Sequence, residues 1–451
     1  MDNNLKNLKQ TIESHIKKNN IDIAYALAED YVKLSPTDPD GYYLYGYLLM
    51  LKDQDQNATL IFNNGLAIDE KNGLLNFSLG NLLNKQHKSA EALKYFCKSK
   101  LFNPSIDFKI SVKNDFSTLN IVLGSMEIAN QMHTSVKGLR KLGHNAKSIN
   151  YYPSYLGYTN DYTLDLSLIE DFDIADLKTK RIASELISEN NVFHLFFGTS
   201  LTLDHSDLPL LKELGKKVVM QYWGSDVRMY SRAVKLNKYV KVKNMDEEQI
   251  KRHLEFISYY VSDCLVDYEL AEYVKDFHTN IHYIRPAIDL SEYNLVEQTK
   301  NDKPLIVHAP TSPEFKGTPY ILSAVEELKQ YYDFDFKLVH GVSHEQAIKI
   351  YAKADLIIDQ ILTGSYGLFC IEAMAMGKPV ICYISDFMKE KYPKDLPIIS
   401  ANPDNIKETI RNFLTNKDIA KDLRLKGRSY VEKYHDMNLI CSDLYNIYNK
   451  L

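Results

Sequence analysis

Apolar positions recur at helical spacing through residues 1–108, then give way from about residue 117 to short apolar runs separated by amphipathic stretches. Such alternation predicts strands and helices in turn, and hence parallel sheets with crossover helices. The first part also repeats. Gly46 and Gly80 are 34 residues apart, Ala24, Ala58 and Ala92 keep that interval, Phe62 matches Phe96, and Pro36 and Pro104 stand two intervals apart. Small residues at a fixed period belong where paired helices approach closely, and the prolines fall where the second helix of each pair should end.

Beyond a polar stretch at 109–117, the apolar run 120–123 predicts a strand, and Ile128, Met132, Val136 and Leu139 share one face of a helix that Gly143 ends. Residues 151–190 are rich in tyrosine and acid and read as a loop and helix insertion, in which Tyr151, Tyr152, Tyr155 and Tyr158 either stack on a ligand or pack locally. Strands are expected at 191–197 and 217–222, with a helix at 208–214 between them. The second strand ends in Trp223-Gly224-Ser225-Asp226-Val227-Arg228. A charged helix over 235–252, a strand at 262–266, a helix at 268–275 and a strand at 281–284 lead to a polar linker at 297–303. The pattern then resumes with strands at 304–309 and 336–339, and a helix at 344–352 that His344 caps or precedes. Residues 402–451 are mostly helical.

The stretch 354–384 carries the clearest chemistry. A strand at 356–358, a loop with Gly364 and Gly367, a helix with Leu368, Ile371, Ala375 and Met376 on one face, and a strand at 380–384 make a βαβ unit. Loop amides and the helix N-terminus favour an anion such as a diphosphate, and Glu372 is near enough to accept hydrogen bonds from sugar hydroxyls. Lys316, a cation near a helix start, is better explained by a bound anion than as a surface lysine. At the 223–228 corner, an aromatic, an acid and a base suit acceptor positioning and phosphate neutralisation; alternatively Asp226 and Arg228 pair to cap the next helix.

The pattern GSYGLFCIEAMAMGKPVI resembles the donor-binding segment of the retaining GT-B glycosyltransferases of family 4, which carry a Glu, seven residues and a second Glu. The second Glu matches Glu372; the first falls at Gly364, where Asp359 and Ser365 flank the loop and can serve instead. The corner WGSDVR resembles an HGSDVR-type corner of the same family, and the turn at Gly124 and Ser125 its first unit, near the donor phosphates. The family places an Arg and a Lys after the first strand of the donor domain. Only Lys316 matches, so Thr311 and Ser312, or Arg228 from across the cleft, would replace the Arg. The first hundred residues resemble a tetratricopeptide array of about two and a half to three repeats.

The resemblance implies an α/β protein of GT-B architecture, two facing Rossmann-like domains behind an all-α repeat domain. Its parts would be repeats at 1–108, an acceptor domain at 117–296, a donor domain at 303–435 and a terminal helix at 436–451 packing back on the body. It implies hexosyl transfer from a UDP- or GDP-linked sugar with retention. The catalytic candidates are Trp223, Asp226, Asp359 and Glu372; the donor-binding candidates are Gly124, Ser125, Arg228, Thr311, Ser312, Lys316, Gly364, Ser365, Tyr366, Gly367, Leu368 and Glu372.

Composition narrows this picture. A net charge of -5 gives no electrostatic case for nucleic acid. The five cysteines, Cys97, Cys264, Cys370, Cys382 and Cys441, are scattered without CxxC pairs, which argues against a disulfide framework or zinc site and for a reducing cytoplasm. There is no apolar leader and no run approaching about 18 apolar residues, which leaves only peripheral membrane contact open. No Asp-x-Asp motif stands where a metal-bridged diphosphate would need it, so metal-independent transfer without a cofactor is expected. Richness in Lys, Asn, Ile and Tyr suggests an AT-rich bacterial genome. The acceptor is expected to be a protein or a cell-envelope glycan, with the repeats binding a protein partner or another copy. The competing expectation is an inactive GT-B-fold partner that uses its repeats to recruit or stabilise another protein; a phosphorylase is disfavoured because no lysine for a pyridoxal cofactor can be singled out.

Overall fold

Helices fill the first hundred residues of the computed structural model, which describes residues 2–110, 114–153, 158–296 and 301–451. They are α1 (Asp2–Lys17), α2 (Ile21–Leu34), α3 (Pro39–Leu51), α4 (Asp55–Ile68), α5 (Gly73–Lys85) and α6 (Ser89–Phe102), packed as successive pairs. Asp38 caps α3 by accepting from the Asp40 amide, with Pro39 in the first turn, and Asn72 caps α5 by accepting from Leu75. A Cβ at Gly46 would run into the ring of Phe62, and one at Gly80 into that of Phe96. The 34-residue period is therefore one helix-to-helix contact made twice, between residues that keep the same spacing in the chain.

The chain continues through β1 (Asn120–Ser125), α7 (Gln131–Lys141), β2 (Asn145–Asn150), β3 (Tyr162–Thr163), α8 (Phe172–Glu189), β4 (Val192–Phe196), α9 (Asp207–Glu213), β5 (Lys217–Gln221), α10 (Tyr230–Leu236), α11 (Glu247–Tyr260), β6 (Asp263–Val266), α12 (Tyr268–Val274) and β7 (Asn280–Tyr283). The strands form a sheet of order β3-β2-β1-β4-β5-β6-β7, with parallel pairing that sets Ile121 against Val192 and Val192 against Lys217. A second sheet, β11-β10-β8-β9, joins β8 (Leu305–His308), β9 (Asp335–Leu338), β10 (Leu356–Ile358) and β11 (Val380–Ile381), again in parallel. Its helices are α13 (Pro313–Lys316), α14 (Thr318–Leu328), α15 (His344–Tyr351) and α16 (Leu368–Ala375); α17 (Asp386–Lys391), α18 (Ile406–Thr415), α19 (Lys417–Tyr434) and α20 (Met437–Lys450) follow. Ile357 packs into one core while Leu356 and Ile358 pack into another, so this three-residue strand is buried on both faces.

Packing divides the chain into two units. The first comprises residues 1–120, 169–191 and 200–216, so α8 and α9 group with the repeat helices; α8 packs along α6, and Arg181 of α8 forms an ion pair with Glu70. The second comprises residues 121–168, 192–199 and 217–451 and holds both sheets.

Several local expectations shift. The charged stretch 235–252 is not one helix: α10 stops at Leu236, and Asp246 opens a new helix by accepting from the Gln249 amide. Asn130, in a left-handed conformation at φ 63°, starts α7 beyond Ile128. The strand expected to run to 384 ends at Ile381. Tyr155 and residues 297–300 of the expected linker lie outside the described residues.

Candidate active site

The order of the second sheet reverses between β8 and β10, and the loops after these two strands lie at its carboxyl edge, where ligands of open α/β sheets collect. Both loops open on a cleft of about 770 Å³ whose lining includes Thr311, Ser312, Lys316, Ser365, Tyr366, Gly367 and Leu368. Gly367 is the N-cap of α16, and no side chain caps this helix. Its first amides and the positive end of its dipole are thus left for an occupant of the cleft.

Lys316 ends α13 with its ammonium 2.8 Å from Asp359 Oδ1. Burial acts to lower the lysine pKa, but Asp359 outweighs it, and the group stays raised and charged. Asp359 also accepts from the Cys370 thiol at 3.1 Å and is 1% exposed. This corrects the expectation that Asp359 faces a transferred sugar: its two oxygens are engaged by Lys316 and Cys370. Cys382 joins the group, and the ligating atoms of Asp359, Cys370 and Cys382 lie within 4.8 Å of one another, so two cysteines expected to be scattered meet. The Lys316 ammonium already supplies the positive charge this carboxylate requires.

Gly364 has φ 86°, and a side chain there would press on Asn237 Nδ2 at 2.8 Å and Ser385 Cβ at 3.0 Å. Asn237, just after α10, donates to the carbonyl of Leu362 at 2.6 Å. The carboxylate that the resemblance places at 364 therefore has no room. Ser365 donates to Glu269 Oε2 at 3.4 Å.

Trp223 lines the cleft and stacks on Phe196 at 5.9 Å between ring centroids. Its indole nitrogen is buried and meets no acceptor among the described residues. Asp226 accepts from the backbone amides of Trp223 at 3.1 Å and Gly224 at 2.7 Å, closing the corner, and burial pushes its pKa up to about 6. Arg228 forms a bidentate pair with Glu269, at 2.8 and 2.9 Å, which outweighs burial and keeps its pKa raised. The geometry removes the expected pair of Asp226 and Arg228, since Asp226 holds a turn and Arg228 reaches the cleft paired with Glu269, while Trp223 stays on the cleft lining.

The glycine turn expected at Gly124 and Ser125 is corrected as well, because both residues belong to β1 and Gly124 pairs with Leu195 in the sheet. Gly124 packs against Ile149, and Ser125 donates to Thr199 at 3.0 Å. The helix N-terminus behind them is filled by Glu127, whose two oxygens accept from the amides of Met132 and His133, each at 3.0 Å. It has no vacancy for donor phosphates. Burial raises the Glu127 pKa to about 7.

Glu372 is buried and bonded to Tyr293 and His344. His344 is not the cap of α15, because Ser343 takes that role; its imidazole reaches Glu372 instead. Two further groups went unforeseen. Arg285, at the carboxyl end of β7, lines the cleft over the ring of Tyr434 at 4.8 Å, and no carboxylate among the described residues pairs with it. Asp267 lines the cleft from the start of α12, with a pKa raised to about 6 by burial and by Glu269. Their position after a strand was a usable signal.

Residues 335–430 match the family model described as glycosyl transferases group 1. Solved structures similar to the chain include a sucrose-phosphate synthase from Thermosynechococcus elongatus, at 13% identity and TM-score 0.55 over 73% of this chain and 98% of that one. A glycosyltransferase from Rickettsia africae aligns at 16% identity and TM-score 0.54 over 74% of this chain and 98% of its own. An O-GlcNAc transferase from Thermobaculum terrenum aligns over 99% of this chain and 96% of its own, at 10% identity and TM-score 0.45. No curated protein matches the chain significantly. The fold is that of GT-B glycosyltransferases preceded by helical repeats, and the family match supports sugar transfer.

Proposed function

We propose that the cleft transfers a hexosyl group from a UDP- or GDP-linked sugar, with retention of configuration. The observation that carries this reading is the uncapped N-terminus of α16 opening on the cleft beside Arg285, a cation without a carboxylate partner among the described residues. Amides aimed at a developing diphosphate stabilise the leaving group with no reorganisation at the moment of reaction. Arg285 supplies positive charge there, while Lys316, paired with Asp359, lines the same cleft, and we infer that transfer needs no bound metal or cofactor. Glu372 accepts the ribose hydroxyls. Retention rests on the family resemblance.

The acceptor is a polypeptide, or a carrier delivered by one, that the helical repeats hold at high local concentration. A glycan or lipid-linked acceptor, with the repeats making a dimer, is the alternative. No helix among the described residues is long and apolar enough to cross a membrane, and five buried free thiols favour a reducing cytoplasm. A second reading, a nucleotide-sugar-binding partner without activity, is favoured by the engagement of Asp359 and the absence of room at Gly364. A screen of UDP- and GDP-sugars for release of free nucleotide separates the two: turnover of any donor excludes the inactive reading, and binding without turnover supports it. Glu372→Ala is expected to weaken nucleotide affinity by about 1.5–3 kcal/mol, and unchanged affinity by calorimetry removes Glu372 from the site.

A further inference from the structure

Glu372 is held at one oxygen. Its Oε1 accepts from Tyr293 Oη at 2.9 Å and from His344 Nε2 at 2.7 Å, while no described residue bonds Oε2. The side chain stays 6% exposed. Both donors are themselves fixed. The carbonyl of Tyr293 accepts from Arg428 at 2.6 Å, and the same guanidinium nitrogen bonds the carbonyl of Ala375, at the end of α16, at 3.0 Å. His344 opens α15, where Ser343 and Gln346 form a reciprocal capping box, and the ring of Tyr158 meets its imidazole edge-on at 5.6 Å. A carboxylate gripped twice at one oxygen cannot turn about its own axis, and its second oxygen keeps lone pairs that only an added donor can use.

We propose that His344 is a positioning residue for nucleotide binding: with Tyr293 it fixes Glu372 so that Oε2 alone is presented to the adjacent hydroxyls of a ribose. The inference rests on the donor reading above and adds to it a residue outside every motif of the family resemblance. Its physical content is pre-organisation. A glutamate free on the helix surface would have to freeze its rotamers when the nucleotide arrives, whereas the clamped one has already done so. Tyr293 alone gives a single hydroxyl contact about which the carboxylate can still swing; the imidazole removes that freedom.

The test is calorimetric titration of the full chain with UDP and with GDP, for wild type, His344→Ala and His344→Gln, together with kcat and KM for hydrolysis of whichever nucleotide-sugar the wild type uses. His344→Ala should lose about tenfold in nucleotide affinity, and the loss should fall on KM rather than kcat. His344→Gln, whose amide can donate to the same Oε1, should recover binding to within about threefold of wild type. Equal affinity of wild type and His344→Ala overturns the proposal, and so does a His344→Gln variant as weak as His344→Ala with an unchanged melting temperature. A wild type that binds neither nucleotide overturns the donor reading itself, an outcome visible before any variant is made.

Discussion

Two strand-to-helix junctions of the second unit, β1 to α7 and β10 to α16, begin alike and end differently. Each has a glycine at or beyond the carboxyl end of a parallel strand, Gly124 near the end of β1 and Gly367 in the loop after β10, and leads into a helix whose first amides need partners. After β1, Glu127 bends back onto the amides of Met132 and His133, so the anion is part of the chain. After β10, Gly367 stands at the cap position with no side chain to offer, and the helix opens on the cleft. A glycine turn therefore does not make an anion site. What decides it is whether a carboxylate lies within reach of the free amides, and Glu127, four residues before α7, was visible in the sequence as that group.

Making the open junction resemble the closed one should have the largest effect. Gly367→Asp installs a carboxylate at the α16 cap, where the backbone angle is one any residue adopts. Nucleotide affinity measured by calorimetry should fall about 100-fold, or about 2.7 kcal/mol, with no loss in melting temperature. Next comes Gly124→Ala, which drives a methyl group into Ile149 and should cost about 1–3 kcal/mol in urea unfolding, with little effect on nucleotide affinity once the protein is folded. Arg285→Ala should weaken UDP or GDP binding about tenfold and reduce its salt dependence; unchanged affinity would leave α16 as the carrier of the anion site without its unpaired cation.

The smallest effect is a slope. Glu127 has its pKa raised by burial from the ordinary carboxylate range to about 7, so the folded protein holds its proton more tightly than the unfolded chain does. Its contribution to stability is full below the unfolded value and is lost as the pH rises through about 7. Stability of the wild type should therefore decline over that interval relative to Glu127→Gln, measured as denaturation midpoints at a series of pH values. Parallel curves would show that burial at Glu127 is fully compensated by its two amide bonds.

Most of the architecture was legible because its signals are local. Short apolar runs between glycines and prolines mark the strands, and the 34-residue period is carried by residues that touch within neighbouring helices. The cleft lining at Lys316 and at Ser365 to Leu368 was legible for the same reason, since loops after parallel strands share one edge. What was not legible depends on partners distant in the chain. Arg228 finds Glu269 at a separation of 41 residues, His344 finds Glu372 at 28, and Asn237 finds Leu362 at 125. Each of these bonds changes what the residue can offer a ligand, and no spacing rule encodes them. The pair of Asp359 and Cys370, 11 residues apart across one loop, was nearer to hand, but a thiol facing a carboxylate leaves no mark in periodicity.

The left-handed turn at Gly364 has an evolutionary reading. Because Gly364 is left-handed at φ 86° and Asn237 and Ser385 stand 2.8 and 3.0 Å from where its Cβ would be, a carboxylate at position 364 carries both a backbone and a packing cost. The bond between Asn237 and Leu362 would first have to be given up, and any intermediate holding both side chains would be overpacked. Positions 237 and 364 should therefore vary together or not at all among descendants of this sequence, and a change at one is a background on which the other is judged anew.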